Sequence, residues 1–76
     1  MVLREYFCKN VDITDVDNIH FTGFVETYTP KIDSEYNQEE IAITISDDYL
    51  SFKKGDLIGF REDEIKKIEI LDKTLS

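Results

Sequence analysis

The sequence predicts a mainly β domain: a small barrel of about five bent antiparallel strands, preceded by a short N-terminal α-helix. Three observations predict it. Val11, Ile13, Asp15, Asn18, Phe21, Gly23 and Val25 are spaced 2, 2, 3, 3, 2 and 2, the rhythm of a bent hairpin with one inward face and a glycine where its second strand curves. Ile41, Ile43 and Ile45 alternate with Glu40, Ala42, Thr44 and Ser46, the period of a half-buried strand. Turn-forming clusters, Asp15 to Asn18, Pro30 to Gln38 and Lys53 to Asp56, separate the apolar stretches.

Taken in chain order, Val2, Leu3, Tyr6 and Phe7 fall at helical spacing, so a helix is expected over about 2–8. From Lys9 the period becomes two, with Val11 and Ile13 inward and Asp12 and Thr14 outward. Asp15, Asp17 and Asn18 make a turn, where Asn tolerates a left-handed backbone. The second strand runs from His20 to Thr29 with Phe21, Gly23 and Val25 inward, and residues 30–38 read as a loop. The strand of three isoleucines follows, turned by Asp47-Asp48; Tyr49 to Phe52 is short and apolar. Leu57 to Arg61 is a strand, Glu62-Asp63-Glu64 an acidic step, and Ile65 to Leu71 the final strand, with Ile68 and Ile70 on one face. The chain is thus a single domain over 1–76: helix about 2–8, barrel about 9–71, frayed tail 72–76.

At 76 residues, 41% of them hydrophobic, the core is small. A domain of this size hides only about 60% of its unfolded surface, leaving little apolar material to line a deep substrate pocket. Cys8 is the one cysteine, which excludes an intrachain disulfide. The first ten residues carry charges where a signal peptide is apolar, and no run reaches membrane-spanning length, so a cytoplasmic protein is expected. The net charge of −8 is uneven: residues 1–52 hold 3 basic and 11 acidic side chains, and residues 53–76 hold 6 of each. Such a chain is repelled by phosphate backbones on average, and its acidity suits either a partner with a basic surface or solubility alone.

One short helix followed by bent strands resembles the Sm-like small β-barrel, related in shape to SH3-type barrels. The first Sm motif is a hydrophobic pair, a turn glycine, an aromatic or aliphatic residue, a second glycine and a hydrophobic residue. Val11, Ile13, Asn18, Phe21, Gly23 and Val25 match it, with Asn18 in place of the turn glycine. The second motif is an Arg-Gly step with hydrophobic residues four and seven positions after the Arg; Arg61, Ile65 and Ile68 keep that spacing, and Glu62 stands at the glycine position. In that family an Asp and an Asn in the loop after the second strand grip RNA together with the Arg-Gly step. Here the loop begins Thr29-Pro30, Asp33 lies near the place of the Asn, and Arg61 alone survives of the set. The resemblance therefore implies the fold rather than the RNA site. Sm rings form by pairing the fourth strand of one subunit with the fifth of its neighbour, which leaves monomer and homo-oligomer both open here. The string EDEIKKIEIL is also similar to small acidic Sm-like proteins of Firmicutes conjugative transposons, which implies a regulatory setting in a mobile element.

No constellation in the sequence calls for catalysis, a cofactor or a metal. A calcium loop starting at Asp15 would need an oxygen ligand at its fifth position, which is Ile19. His20 and Cys8 are each alone of their type, short of a zinc set, and nothing local activates Cys8 as a nucleophile. Carboxylates are abundant but lack the apolar surroundings that raise a catalytic pKa. Gly-rich phosphate loops are absent, the glycines being Gly23, Gly55 and Gly59. Tyr28, Tyr36, Tyr49 and Phe24 beside acidic loops suit a protein-contact surface, and in so small a barrel equally suit wrapping the core from outside.

The expected function is a non-enzymatic interaction or regulatory module. Asp12, Asp15 and Asp17 at one turn, and Asp33, Glu35, Glu39 and Glu40 in one loop, would meet a basic partner. The alternative is single-stranded nucleic-acid binding through Arg61, Lys66 and Lys67, within a basic and aromatic cluster that includes Lys53, Lys54, Phe52 and Phe60.

Overall fold

A computed structural model of the chain describes residues 2–48 and 52–71. Five strands form one antiparallel sheet: β1 (Asn10–Asp15), β2 (His20–Thr29), β3 (Glu40–Ile45), β4 (Leu57–Arg61) and β5 (Ile65–Ile70). Three 3-10 helices, η1 (Leu3–Tyr6), η2 (Lys31–Asp33) and η3 (Glu62–Glu64), and an isolated β-bridge at Phe52 supply the remaining regular structure among the described residues. The strand order is β4-β3-β2-β1-β5, so β4 and β5 occupy the two edges. No described helix is long and apolar enough to cross a membrane.

Alternation builds the core. Val11, Ile13, Val25 and Ile43 are fully buried, with Phe21, Ile41, Ile45, Phe60 and Ile65 closing around them from the inward positions of all five strands. Pairing of Val11 with Gly23 and Ile13 with Phe21 puts the two inward sets of the first hairpin face to face. Phe21 then meets Phe60 and Phe52 edge-on, with ring centroids 5.4 and 5.6 Å apart. The turn between β1 and β2 has Asn18 at φ 66°, the left-handed backbone its residue type suits. Asp15 organises that turn by accepting the Asp17 and Ile19 amides at 2.9 and 3.0 Å on Oδ1.

Gly23 lies where β2 passes close to the backbone of β3. A Cβ there would fall 2.4 Å from the Thr44 carbonyl oxygen and 2.9 Å from its carbon, so no side chain fits without separating the strands. Just beyond, the β2–β3 register shifts between Val25 and Thr27, a bulge that increases the local bend. A second shift between Thr14 and Asp15 bends β1 against β5.

Two expectations are corrected. The N-terminal α-helix expected over about 2–8 is a single 3-10 turn, Leu3–Tyr6, with no side-chain cap at Val2. Val2, Leu3, Tyr6 and Phe7 satisfy helical spacing, yet only Leu3 is buried and Tyr6 packs on the core, while Val2 and Phe7 are exposed. One turn cannot offset helix nucleation. The chain after it is captured by β2: Cys8 takes φ 63°, its amide donates to the Val25 carbonyl, and the Val25 amide donates to the Lys9 carbonyl.

The barrel is also not closed by hydrogen bonds: the sheet ends at β4 and β5 with no ladder between them. Between them η3 turns the chain so that β5 pairs with β1 instead, Ile13 opposite Ile68 and Val11 opposite Ile70. The expected loop 30–38 contains the short η2. Of the apolar segment Tyr49 to Phe52, only Phe52 is among the described residues; the tail 72–76 lies outside them.

Candidate interaction surface

Apart from Asp12, which lies within β1, the acidic side chains named from the sequence fall in or beside the two loops at opposite ends of β2, and η3 lies between those loops. On one side the Val16 amide donates to the Glu64 carbonyl at 3.2 Å. On the other the Glu62 amide donates to the Glu39 carbonyl at 3.0 Å, and the Glu39 amide donates to Glu62 Oε1 at 3.0 Å. Gln38 adds a reciprocal pair: its Nε2 donates to Asp63 Oδ2 at 3.0 Å, and its Oε1 accepts the Asp63 amide at 3.1 Å. The result joins the Asp15–Asp17 turn to the Gln38–Glu40 segment through three consecutive acidic residues, by backbone as well as side-chain bonds. Glu62, Asp63 and Glu64 were absent from the sequence-derived interaction set, although three adjacent carboxylates between two strands are a visible signal.

Individual roles differ. Glu39 is a fastener: Oε1 accepts the Leu3 amide at 2.6 Å and Oε2 accepts the Tyr28 hydroxyl at 2.9 Å. Burial and that bond, with the nearby Glu39 charge, push the Tyr28 phenol above its ordinary pKa. Glu40 accepts from the Ser34 hydroxyl, and Ser34 Oγ in turn accepts the Tyr36 amide at 3.1 Å, so Glu40 shapes the loop it closes. Asp15 shapes the first turn. Asp17, Asp33 and Glu35 are exposed, and no side-chain hydrogen bond or ion pair ties them down among the described residues. Asp12 stands apart on the outer sheet face between Thr22 and Glu69. Its Oδ1 is 3.7 Å from His20 Nδ1, which also lies 3.1 Å from the Thr14 hydroxyl.

The three cations of the nucleic-acid alternative are engaged within the chain. Arg61 lies over the Tyr36 ring, 4.5 Å from its centroid, with Nε 3.4 Å from Asp63 Oδ1 and Nη2 3.6 Å from Glu64 Oε2. Partial burial works to lower the guanidinium pKa, but Glu64 and Asp63 raise it on balance. Conversely, the bond from Gln38 holds the Asp63 carboxyl below its usual value against partial desolvation, and Arg61 adds to that effect. The Arg61 amide is bound by Glu64 Oε1 at 2.9 Å. Lys66 Nζ donates to Asn18 Oδ1 at 2.5 Å, and Lys67 Nζ is 3.3 Å from Glu69 Oε2.

Next to the ridge runs a groove between the β1–β2 turn and β4, floored by Phe21, Phe52, Ile58 and Phe60 and edged by Asp15, Val16, Asp17 and Glu64. Val16 is 57% exposed there, an aliphatic side chain at the centre of an acidic turn. Among the described residues no group of three or more His, Cys, Asp or Glu side chains has metal-binding geometry. The arrangement offers charge and a narrow apolar slot, the chemistry of macromolecular recognition. Comparison with protein-family models, with curated proteins and with solved structures finds no match for this chain.

Proposed function

We propose that this chain is a non-enzymatic interaction or regulatory module that offers an acidic ridge to a partner with a basic surface. One observation carries the reading: η3 is hydrogen-bonded to both acidic loops, so carboxylates far apart in sequence share one surface. Exposed Asp17, Asp33 and Glu35 add charge that no side-chain bond uses among the described residues. Complementary charge of this kind speeds encounter and selects partners more than it adds affinity.

The shape we infer is an Sm-like, SH3-type barrel left open along one seam. Support comes from the close β2–β3 approach at Gly23 and from β4 and β5 lying at the two edges. The similarity of EDEIKKIEIL to small acidic Sm-like proteins supports a conjugative transposon as the setting, and the lone cysteine supports the cytoplasm. Arg61, Lys66 and Lys67 each have an internal partner, which favours the protein-binding reading over the nucleic-acid one.

A labelled octalysine is the test probe. Its affinity falls between roughly 50 and 500 mM salt as exposed charges are screened. Asp17→Asn, Asp33→Asn and Glu35→Gln each weaken it about two- to fivefold, the range of an exposed ion pair. Salt-independent binding overturns the reading. So does tight binding of a uridine- or adenine-rich oligonucleotide in place of octalysine.

A further inference from the structure

Among the described residues, the seam between β4 and the β1–β2 turn has unpaired backbone as well as apolar floor. In an antiparallel ladder, alternate residues turn both their amide and carbonyl toward the neighbouring strand, and those between turn away. On β3 and β4 the inward set is fixed at both ends. The Ile45 amide donates to the Asp56 carbonyl, and the Glu62 amide donates to the Glu39 carbonyl. Within that frame Ile43 pairs with Ile58 and Ile41 with Phe60. Leu57, Gly59 and Arg61 therefore direct their backbone groups to the outer edge. Glu64 takes the Arg61 amide. Leu57 and Gly59 keep amide and carbonyl unpaired among the described residues, two positions apart as a neighbouring strand requires.

Among the described residues this edge is unguarded. Leu57 is 61% exposed, and Gly59 has no side chain, although a Cβ there would meet only the Ile41 carbonyl oxygen, at 3.9 Å. Lysine, proline and a bulge, the usual protections of an edge strand, are missing from Leu57–Phe60. Alongside lies the groove floored by Phe21, Phe52, Ile58 and Phe60, about 220 Å³ in volume. That is below the roughly 300–1,000 Å³ of small-molecule sites, and suits an apolar side chain projecting from an extended backbone. Asp15, Asp17 and Glu64 at the rim set the charge of the neighbouring side chains.

We infer that β4 accepts an extended segment of a partner protein as an added strand, and that this segment alternates apolar and basic side chains. Backbone pairing with Leu57 and Gly59 gives the docking, the groove takes an apolar side chain, and the acidic rim selects lysine or arginine. The inference rests on the acidic-ridge reading for the sign of the partner's charge, and on the ladder for its conformation.

The test uses the whole chain and a labelled peptide, Lys-Val-Lys-Val-Lys-Val-Lys, with two derivatives: one N-methylated at the valine amides, the other at the internal lysine amides. Each blocks one edge of the extended peptide. The expected result is that one derivative loses about tenfold or more in affinity, as two lost backbone bonds require, while the other binds like the parent. Amide exchange at Leu57 and Gly59 slows in the complex. Equal binding of all three peptides overturns strand addition and leaves the acidic ridge standing. Octalysine binding without binding of the alternating peptide does the same. Failure of both probes removes both readings. Protection of Leu57 and Gly59 that rises with protein concentration alone assigns the edge to a second copy and overturns a partner segment.

Discussion

Replacing Gly23 by alanine tests the packing on which the sheet's curvature depends. The added Cβ would sit 2.4 Å from the Thr44 carbonyl oxygen, 2.9 Å from its carbon and 3.0 Å from Ile45 Cα. All three are backbone atoms in the ladder, so no side-chain rotation relieves the overlap. Overpacking in a core costs typically about 1–3 kcal/mol, occasionally more. A clash absorbed by backbone belongs at the top of that range, so about 3 kcal/mol is expected. A domain of this length has roughly 4–11 kcal/mol of stability in all, and each 1 kcal/mol shifts Tm by about 4–8 °C. The variant should therefore melt at least about 12 °C lower. Gly59→Ala is the matched control, since its Cβ would meet only the Ile41 carbonyl oxygen, at an ordinary 3.9 Å. Urea titrations followed by circular dichroism compare the two at equal m-value. Equal destabilisation within about 0.5 kcal/mol would show that Gly23 is not squeezed between strands and refute the reasoning.

Further predictions concern the core and the charged fastenings. Ile13→Ala, at a fully buried site facing Phe21 and Ile68, should cost about 2–5 kcal/mol in the same urea assay. Among four tyrosines, Tyr28 should ionise later than an exposed phenol in alkaline absorbance titration, and Glu39→Gln should reduce the lag. Because its folded pKa is raised above the ordinary 10.0, the Tyr28 contribution to stability is complete below that pH and is lost as pH rises through the folded value. Asp63 runs the other way: its folded pKa lies below 3.8, so its contribution is present above that pH and disappears as pH falls through the folded value. Asp63→Asn should flatten the acid limb of a stability–pH profile below about pH 4 while leaving the neutral-pH profile parallel to that of the parent chain.

What could be read in advance followed local geometry. The inward residues of β1, β2 and β3 were legible because a two-residue period admits one burial pattern per strand. The crowded position of Gly23 was visible for a related reason: a glycine inside an otherwise bulky inward row leaves few explanations. Helix type was not legible, since one turn of 3-10 and the start of an α-helix place Leu3 and Tyr6 alike. Closure of the barrel was equally hidden, because it depends on the direction in which η3 sends the chain. The sequence assigns its acidic turn and loop to a basic partner, yet Glu39, Glu40 and Asp15 are engaged by backbone or hydroxyl donors whose positions only the folded chain supplies. Arg61 was singled out from its motif, but its engagement by Tyr36, Asp63 and Glu64 joins a loop to a strand end and leaves no local trace.

The partnership of β1 with β5 has a bearing on how the chain is made. Val11 finds Ile70, and Ile13 finds Ile68, across almost the full span of the described sequence. During synthesis from the N-terminus, the first hairpin has to wait with one flank of β1 bare until Ile65–Ile70 has emerged. Nascent chains stalled before that point carry a half-finished ladder, the kind of unpaired edge that exposes a chain to aggregation while it is being made.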